Sequence, residues 1–227
     1  MAEQLILDLP VRQALGRDAF FVSPSNAVAM ATLDAVNNWP SGKLVLIGPE
    51  GAGKTHMAHV WASDHDAVIV PAETLTEADI PALAARRFVV IEDADRLPTL
   101  PDARRSEEAL FHLHNLTLAE GGRLLLTAQS APNHWTLSLP DLASRMQGTT
   151  VARIEAPDDK LLTAMLVKQF DDRQIAVPGT LILWLVKRME RSAEAARRMV
   201  ETLDEAALRS GKPISRNLAA QFFPKDD

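Results

Sequence analysis

The sequence predicts a parallel α/β sheet domain followed by a small all-helical domain. Three observations predict it. A Gly-rich loop at residues 48–55 sits between an apolar strand and a helix. Short apolar strands alternate with helical patterns as far as residue 156. Beyond Pro157 the pattern is helix after helix, joined by short links.

The elements follow in order. Residues 1–20 read as an arm. Pro24 to Asn38 reads as a helix, with Ser23 as its cap and Pro24 in its first turn. Trp39-Pro40-Ser41-Gly42 is a turn into the first strand, Lys43–Ile47. Thr55 to Ser63 is the helix after the Gly-rich loop. Ala67–Val70 and Phe88–Ile91 are the second and third strands. Ala103 to Glu120 is a helix with Leu110, Leu113 and Leu116 on one side, stopped by Gly121-Gly122. Arg123–Thr127 is the fourth strand, Leu139–Met146 a short helix, and Thr149–Ile154 the fifth strand. The helices of the second domain are Asp158–Gln174, Thr180–Met189, Ser192–Ser210 and Ser215–Phe222. The division is therefore an arm at 1–20, an α/β domain at 21–156 and a helical domain at 157–227.

Composition sets the outer limits. The chain has 227 residues, 47% of them hydrophobic, enough for a sizeable core in one ordinary domain plus a small second one. It has no cysteine, hence no disulfide framework and no thiolate chemistry. Glu3 and Asp8 flank the short apolar run at the N-terminus, which argues against a signal peptide. The apolar run Leu181–Val186 is too short to span a bilayer. The expectation is a soluble, cytoplasmic protein with no membrane partner. A net charge of −6 argues against a domain that grips DNA by itself. The pairs Arg86-Arg87, Arg104-Arg105 and Arg197-Arg198 read as solvated surface charge.

Gly48-Pro49-Glu50-Gly51-Ala52-Gly53-Lys54-Thr55 is a complete G-x-x-x-x-G-K-[ST] phosphate-binding loop. Its glycines let backbone N–H groups turn inward on phosphate oxygens. Lys54 reaches the terminal phosphates, Thr55 holds Mg²⁺ by its hydroxyl, and the next helix adds its positive end. The strand before it and the helix after it are the setting this motif requires. His56 follows on that helix.

Phosphoryl transfer also needs an acid for the metal, a group that orients water, and positive charge on the transition state. The third strand ends in Glu92-Asp93. Glu92 is the candidate metal carboxylate, and Asp93 the candidate water-orienting acid. The fourth strand runs into Ala128-Gln129, so Thr127 or Gln129 is placed to bond phosphate or water. Arg145 lies near a helix end in Ser144-Arg145-Met146. From spacing alone it reads as a surface arginine favoured by the helix C-terminal dipole. A guanidinium there can also enter a neighbouring subunit's nucleotide site. In the arm, Gln4-Leu5-Ile6-Leu7-Asp8-Leu9 reads either as a tail folded on its own domain or as a docking peptide whose leucines fill an apolar pocket. The histidines lack the spacing of a zinc site.

Taken together, Phe21-Val22-Ser23-Pro24-Ser25-Asn26, the loop followed by His56, Glu92-Asp93, Thr127-Ala128-Gln129 and Ser144-Arg145-Met146 resemble, in that order, the DnaA-type AAA+ proteins. The resemblance covers most of residues 20–210. It implies an AAA+ P-loop fold with a five-stranded parallel sheet and a helical lid, and a bound adenine nucleotide, ADP or ATP, with Mg²⁺. It implies that Phe21 and Val22 border the base. No segment reads as the initiators' C-terminal helix-turn-helix domain or their N-terminal helicase-contacting domain. Instead Gln4, Leu5, Leu7 and Leu9 look like a sliding-clamp-binding peptide. That combination is similar to the Hda-type regulators. It implies that Arg145 acts as an arginine finger on the ATP of the initiator DnaA, that the polymerase sliding clamp is a partner, and that DNA is met only through the clamp. A homodimer is compatible with the assembly habits of the family.

Three departures from the family pattern stand out. Glu92 replaces the usual metal-binding Asp, and its extra methylene moves the carboxylate. Gln129 stands where the initiators commonly carry an acid. Ala193 or Glu194 occupies the place of the lid arginine, with Arg191 and Arg197 nearby as substitutes. Together they imply weak hydrolysis by the chain itself, and an activator of a partner's ATPase. The other reading is an autonomous AAA+ ATPase that loads a helicase or remodels a partner.

Overall fold

The computed structural model describes residues 21–223. The arm residues Gln4, Leu5, Leu7 and Leu9 lie outside this range. β1 (Lys43–Ile47) is buried along its length. Its side chains alternate, with Val45 and Ile47 in one core and Leu44 and Leu46 in the other. That is the period-two geometry of a strand covered on both faces. With β2 (Val68–Pro71), β3 (Phe88–Glu92), β4 (Arg123–Ala128) and β5 (Thr150–Arg153) it forms one parallel five-stranded sheet in the order β2-β3-β4-β1-β5. β4 thus lies between the strand that enters the Gly-rich loop and the strand that ends in Glu92.

α1 (Ala27–Asp34) and α2 (Lys54–His65) cover one face of the sheet. Met30, Leu33, Met57 and Trp61 pack there on Leu44, Leu46, Val90 and Leu125. α3 (Ile80–Ala85), α4 (Ala103–Ala119) and α5 (Pro140–Gln147) cover the other. Leu110, Leu113, Leu142 and Met146 pack there on Val45, Ile47, Ile91 and Leu126. α6 (Asp159–Asp172), α7 (Gly179–Val186), α8 (Ala193–Ser210) and α9 (Arg216–Ala219) make the helical domain, with a separate core around Leu162, Leu166, Phe170, Leu185 and Val200. Asp158 and Ser192 cap α6 and α8 by accepting from the N–H groups of Leu161 and Ala195.

The first helix is shorter than its pattern predicts. Residues 24–26 form a turn and Asn26, not Ser23, holds the capping position. The Asn26 side chain turns back, accepting from the Ser23 N–H and donating to the Phe21 carbonyl, both at 2.9 Å. Helical hydrogen bonding ends at Asp34, and Val36–Asn38 is a 3₁₀ turn. Residues 72–85, which show no clear period, form a 3₁₀ segment and α3, the latter capped by Asp79 through the Ala82 N–H. Among the described residues no helix is long and apolar enough to cross a membrane.

Candidate functional site

At the carboxyl ends of the strands, a cleft of about 690 Å³ opens between the sheet domain and the helical domain. This is within the size range of small-ligand pockets, about 300–1,000 Å³. Glu50, Gly51, Ala52, Gly53, Lys54, Thr55 and His56 form its floor. Gly51 and Gly53 adopt φ of +70° and +102°, which curls the chain into the start of α2. Gly48 leaves no room for a Cβ, which would lie 2.6 Å from the Ile154 carbonyl. Gly48 and Pro49 line the cleft only indirectly: their carbonyls each accept from Lys54 Nζ at 2.9 Å. Burial pushes the Lys54 pKa down, and Asp93, Asp95 and Glu50 partly offset this. Burial, reinforced by His59, likewise lowers the pKa of His56.

β4 organises the wall opposite the loop. Thr127, fully buried, accepts from the Asp93 N–H at 3.0 Å and holds that residue in a left-handed conformation, φ +53°. Asp93 thereby faces the cleft beside Gln129. Asp95 accepts from the N–H groups of Gln129 and Ser130 at 2.9 and 3.2 Å, lacing the end of β3 to the end of β4. The sequence gives little sign of this role beyond a second acid two residues after Asp93. Thr127 is thus a support for Asp93, and Gln129 is the polar side chain exposed to the cleft. Glu92 does not line it. It lines an adjoining cavity of about 210 Å³, with Glu73, Asp93 and Arg96. One of its oxygens is buried without a hydrogen-bond partner.

Phe21 lines the mouth of the cleft, held there by Asn26, whereas Val22 is 62% exposed and stands outside. The helical domain supplies the remaining wall. Leu161, Met165, Lys168 and Asp172 recur along one face of α6, a period readable in the sequence that their roles escaped. From α8 come Ala193, Glu194 and Arg197. Arg197 is the arginine that α8 brings to the cleft, and it is already engaged by Glu194 at 2.6 Å and Glu201 at 2.9 Å. The Glu194 carboxyl is held below the usual carboxylate range by that hydrogen bond. Arg191 points elsewhere, to the Pro157 carbonyl and Asp159.

The donor set fits a phosphate chain: inward backbone, a buried ammonium and a helix N-terminus meet in one place. Thr55 and Asp93 are oxygen donors that face the cleft. Among the described residues no three acid or histidine side chains form a ready-made cation site. Mg²⁺ arriving with a nucleotide would need only one or two such protein oxygens, the phosphates and waters supplying its other ligands.

Arg145 lies at the opposite edge of the sheet. It sits in the last turn of α5, just before β5, exposed, with its guanidinium 5.3 Å from the ring centre of Phe111. Its carbonyl accepts from Lys43, the first residue of β1. β1 leads away from that edge to the loop at 48–55, so roughly 15 Å of strand separates Arg145 from the cleft. Beneath it His114 is 3% exposed. Burial takes its pKa down to about 4 from 6.5, Lys43 and Arg145 adding to the effect and a hydrogen bond to Asn115 opposing it. Above pH 6.5 His114 is neutral folded or unfolded. As pH falls from 6.5 towards 4, the unfolded chain takes a proton that the folded one refuses, and stability is lost, by about 2 kcal/mol at about pH 5. His114→Gln is expected to remove that part of the acid sensitivity, measured as the change in urea-unfolding free energy between neutral pH and about pH 5. An unaltered change would show that His114 is not its source.

The strand order, the cleft and the lid together define an α/β AAA+ fold. No protein-family model matches the chain. Its structure is similar to domain III of the replication initiation protein DnaA from Thermotoga maritima, with a TM-score of 0.78 at 18% identity over 96% of this chain and all of that domain. It is similar also to AMPPCP-bound DnaA from Aquifex aeolicus, with a TM-score of 0.69 at 15% identity over 85% of this chain and 66% of that one. The AAA domain of FIGL-1 in complex with ADP aligns with a TM-score of 0.64 at 17% identity, over 89% of this chain and 81% of that one.

Proposed function

We propose that this chain is a DnaA-related regulator of the Hda type. It binds an adenine nucleotide, ADP or ATP, with Mg²⁺ in the cleft over residues 48–55. Bound to the DNA-loaded sliding clamp through Gln4, Leu5, Leu7 and Leu9, it stimulates ATP hydrolysis by the initiator DnaA. The observation that carries the reading is the separation of Arg145 from the chain's own cleft. An exposed guanidinium at the far edge of the sheet cannot serve the nucleotide bound in the same chain, but it can serve one bound by a docked partner. Glu92 turned out of the cleft and Arg197 engaged by two carboxylates both weaken the case for fast hydrolysis by this chain alone.

The test is phosphate release from ATP pre-bound to the initiator, with the purified chain, the clamp and DNA added singly and together. Acceleration that requires all three supports the regulator. Rapid turnover by the chain alone, lost in Lys54→Ala, would replace it with a self-sufficient motor of the helicase-loading or remodelling kind. Deleting residues 1–10 is expected to abolish binding to immobilised clamp and the stimulation with it. Undiminished clamp binding would remove the arm from the mechanism.

A further inference from the structure

Polar groups converge on the backbone of Arg145 in a way that neither sheet pairing nor helix formation requires. Lys43 is only 6% exposed, although lysine is rarely buried unless its charge is satisfied. Its Nζ donates to the Arg145 carbonyl at 2.7 Å and lies 3.2 Å from His114 Nε2. His114 Nδ1 is 3.1 Å from Asn115 Oδ1. The directions of these bonds are fixed. An amide oxygen only accepts, so in the neutral ring Nδ1 carries the proton and Nε2 turns its lone pair to the ammonium. Thr149 Oγ1 donates to the same Arg145 carbonyl at 2.9 Å. That carbonyl belongs to the last turn of α5, whose final carbonyls have no partner within the helix. Water satisfies such groups at ordinary helix ends. Here two side chains do so, one rooted in β1 and one in the segment entering β5, while the guanidinium of the same residue rests on Phe111.

We infer that Lys43, oriented by His114 and seconded by Thr149, is a positioning residue for Arg145: it ties the end of α5 to β1, so that the guanidinium is presented at a fixed place on the partner-facing edge. This rests on the reading of Arg145 as a group that acts on a partner's nucleotide. Lys43 does not line the cleft and touches no reacting atom.

The test is the initiator-hydrolysis assay with the full chain, clamp and DNA, titrated with wild type, Lys43→Met, Thr149→Val and Arg145→Ala. Misplacing a catalytic group by about 1 Å costs about 10²-fold. Lys43→Met, which keeps the side chain's length and discards its donors, is expected to lower the maximal stimulated rate by about 10–100-fold. The half-saturating concentration of the chain, its nucleotide affinity and its clamp affinity are expected to stay at wild-type values. Thr149→Val, which removes one donor to the Arg145 carbonyl and keeps that of Lys43, is expected to act in the same direction but less. It keeps the test open if Lys43→Met does not fold. A second readout needs no partner: NMR relaxation of the Arg145 Nε–H should report greater mobility in both variants. Wild-type maximal rates in both variants, with Arg145→Ala still failing to stimulate, would overturn the inference and leave the finger reading intact. A fall in nucleotide affinity equal to the fall in rate would reduce Lys43 to a general structural role. Full stimulation by Arg145→Ala itself would overturn the finger reading, and the inference with it.

Discussion

Arg145→Ala is expected to lower clamp-dependent hydrolysis of initiator-bound ATP by about 10³-fold or more, the scale on which an arginine finger supplied in trans acts. The argument has two parts. The first is chemical: the transition state spreads negative charge over the equatorial oxygens of the γ-phosphoryl group, and a guanidinium placed there neutralises it as it develops. The second is geometric. Arg145 is exposed, lies outside the cleft of its own chain, and among the described residues its guanidinium rests on the face of Phe111. Its removal therefore forfeits about 0.5–1 kcal/mol of an exposed cation–π contact and nothing in the core. Nucleotide affinity and clamp affinity should be unchanged, so that the loss appears in the chemical step. Arg145→Lys keeps a charge without the planar fork of donors and should recover little of the rate. Phosphate release measured in single turnover decides the matter: full stimulation by Arg145→Ala would leave the chain as an adaptor that brings clamp and initiator together without touching the ATP.

The parts of the molecule legible in the sequence are those set by local pattern. Apolar runs such as Leu44–Ile47 and Leu124–Leu126 announce strands covered on both faces, and the change to unbroken helical periods after Pro157 announces the lid. The order of the strands is a different matter. All five strands are short and most are similarly apolar, and nothing in their spacing says that β4 inserts between β1 and β3. That insertion decides what Thr127 does. Its hydroxyl accepts from the Asp93 N–H. The same limit applies to Glu92 and Asp93, adjacent residues that are equally acidic on the page. The left-handed turn at Asp93 sends one carboxylate to the cleft and leaves the other on the adjoining cavity. Arg191 and Arg197 are likewise separable only in three dimensions, because the start of α8 determines which of them looks across at the loop. Asp95 and the α6 face needed the same information.

Gly51→Ala should uncouple the lid from the loop, and its effect can be divided. Gly51 stands at φ +70°, where a residue with a Cβ is strained by about 1–2 kcal/mol. An added Cβ would also lie 2.3 Å from the Cβ of Ser192 and 3.4 Å from its Cα. The Gly51 carbonyl accepts from the Ala193 N–H at 3.0 Å, so the loop and the first turn of α8 are hydrogen-bonded at the point of collision. Overpacking of this kind costs about 1–3 kcal/mol, so the variant is expected to lose about 2–5 kcal/mol of stability in urea unfolding. Part of that loss can instead appear as a lid swung off the cleft, with nucleotide affinity reduced tenfold for about every 1.4 kcal/mol diverted that way. Ser192 permits the division. It caps α8, but glycine at a capping position costs only a few tenths of a kcal/mol. Ser192→Gly alone should therefore be mild, and placed on Gly51→Ala it should return the overpacking share while leaving the cost of the left-handed backbone. Recovery in the double variant would identify the Ser192–Gly51 contact as the route by which the loop and the lid sense one another. Strict additivity of the two substitutions would show that the loop bends independently of α8.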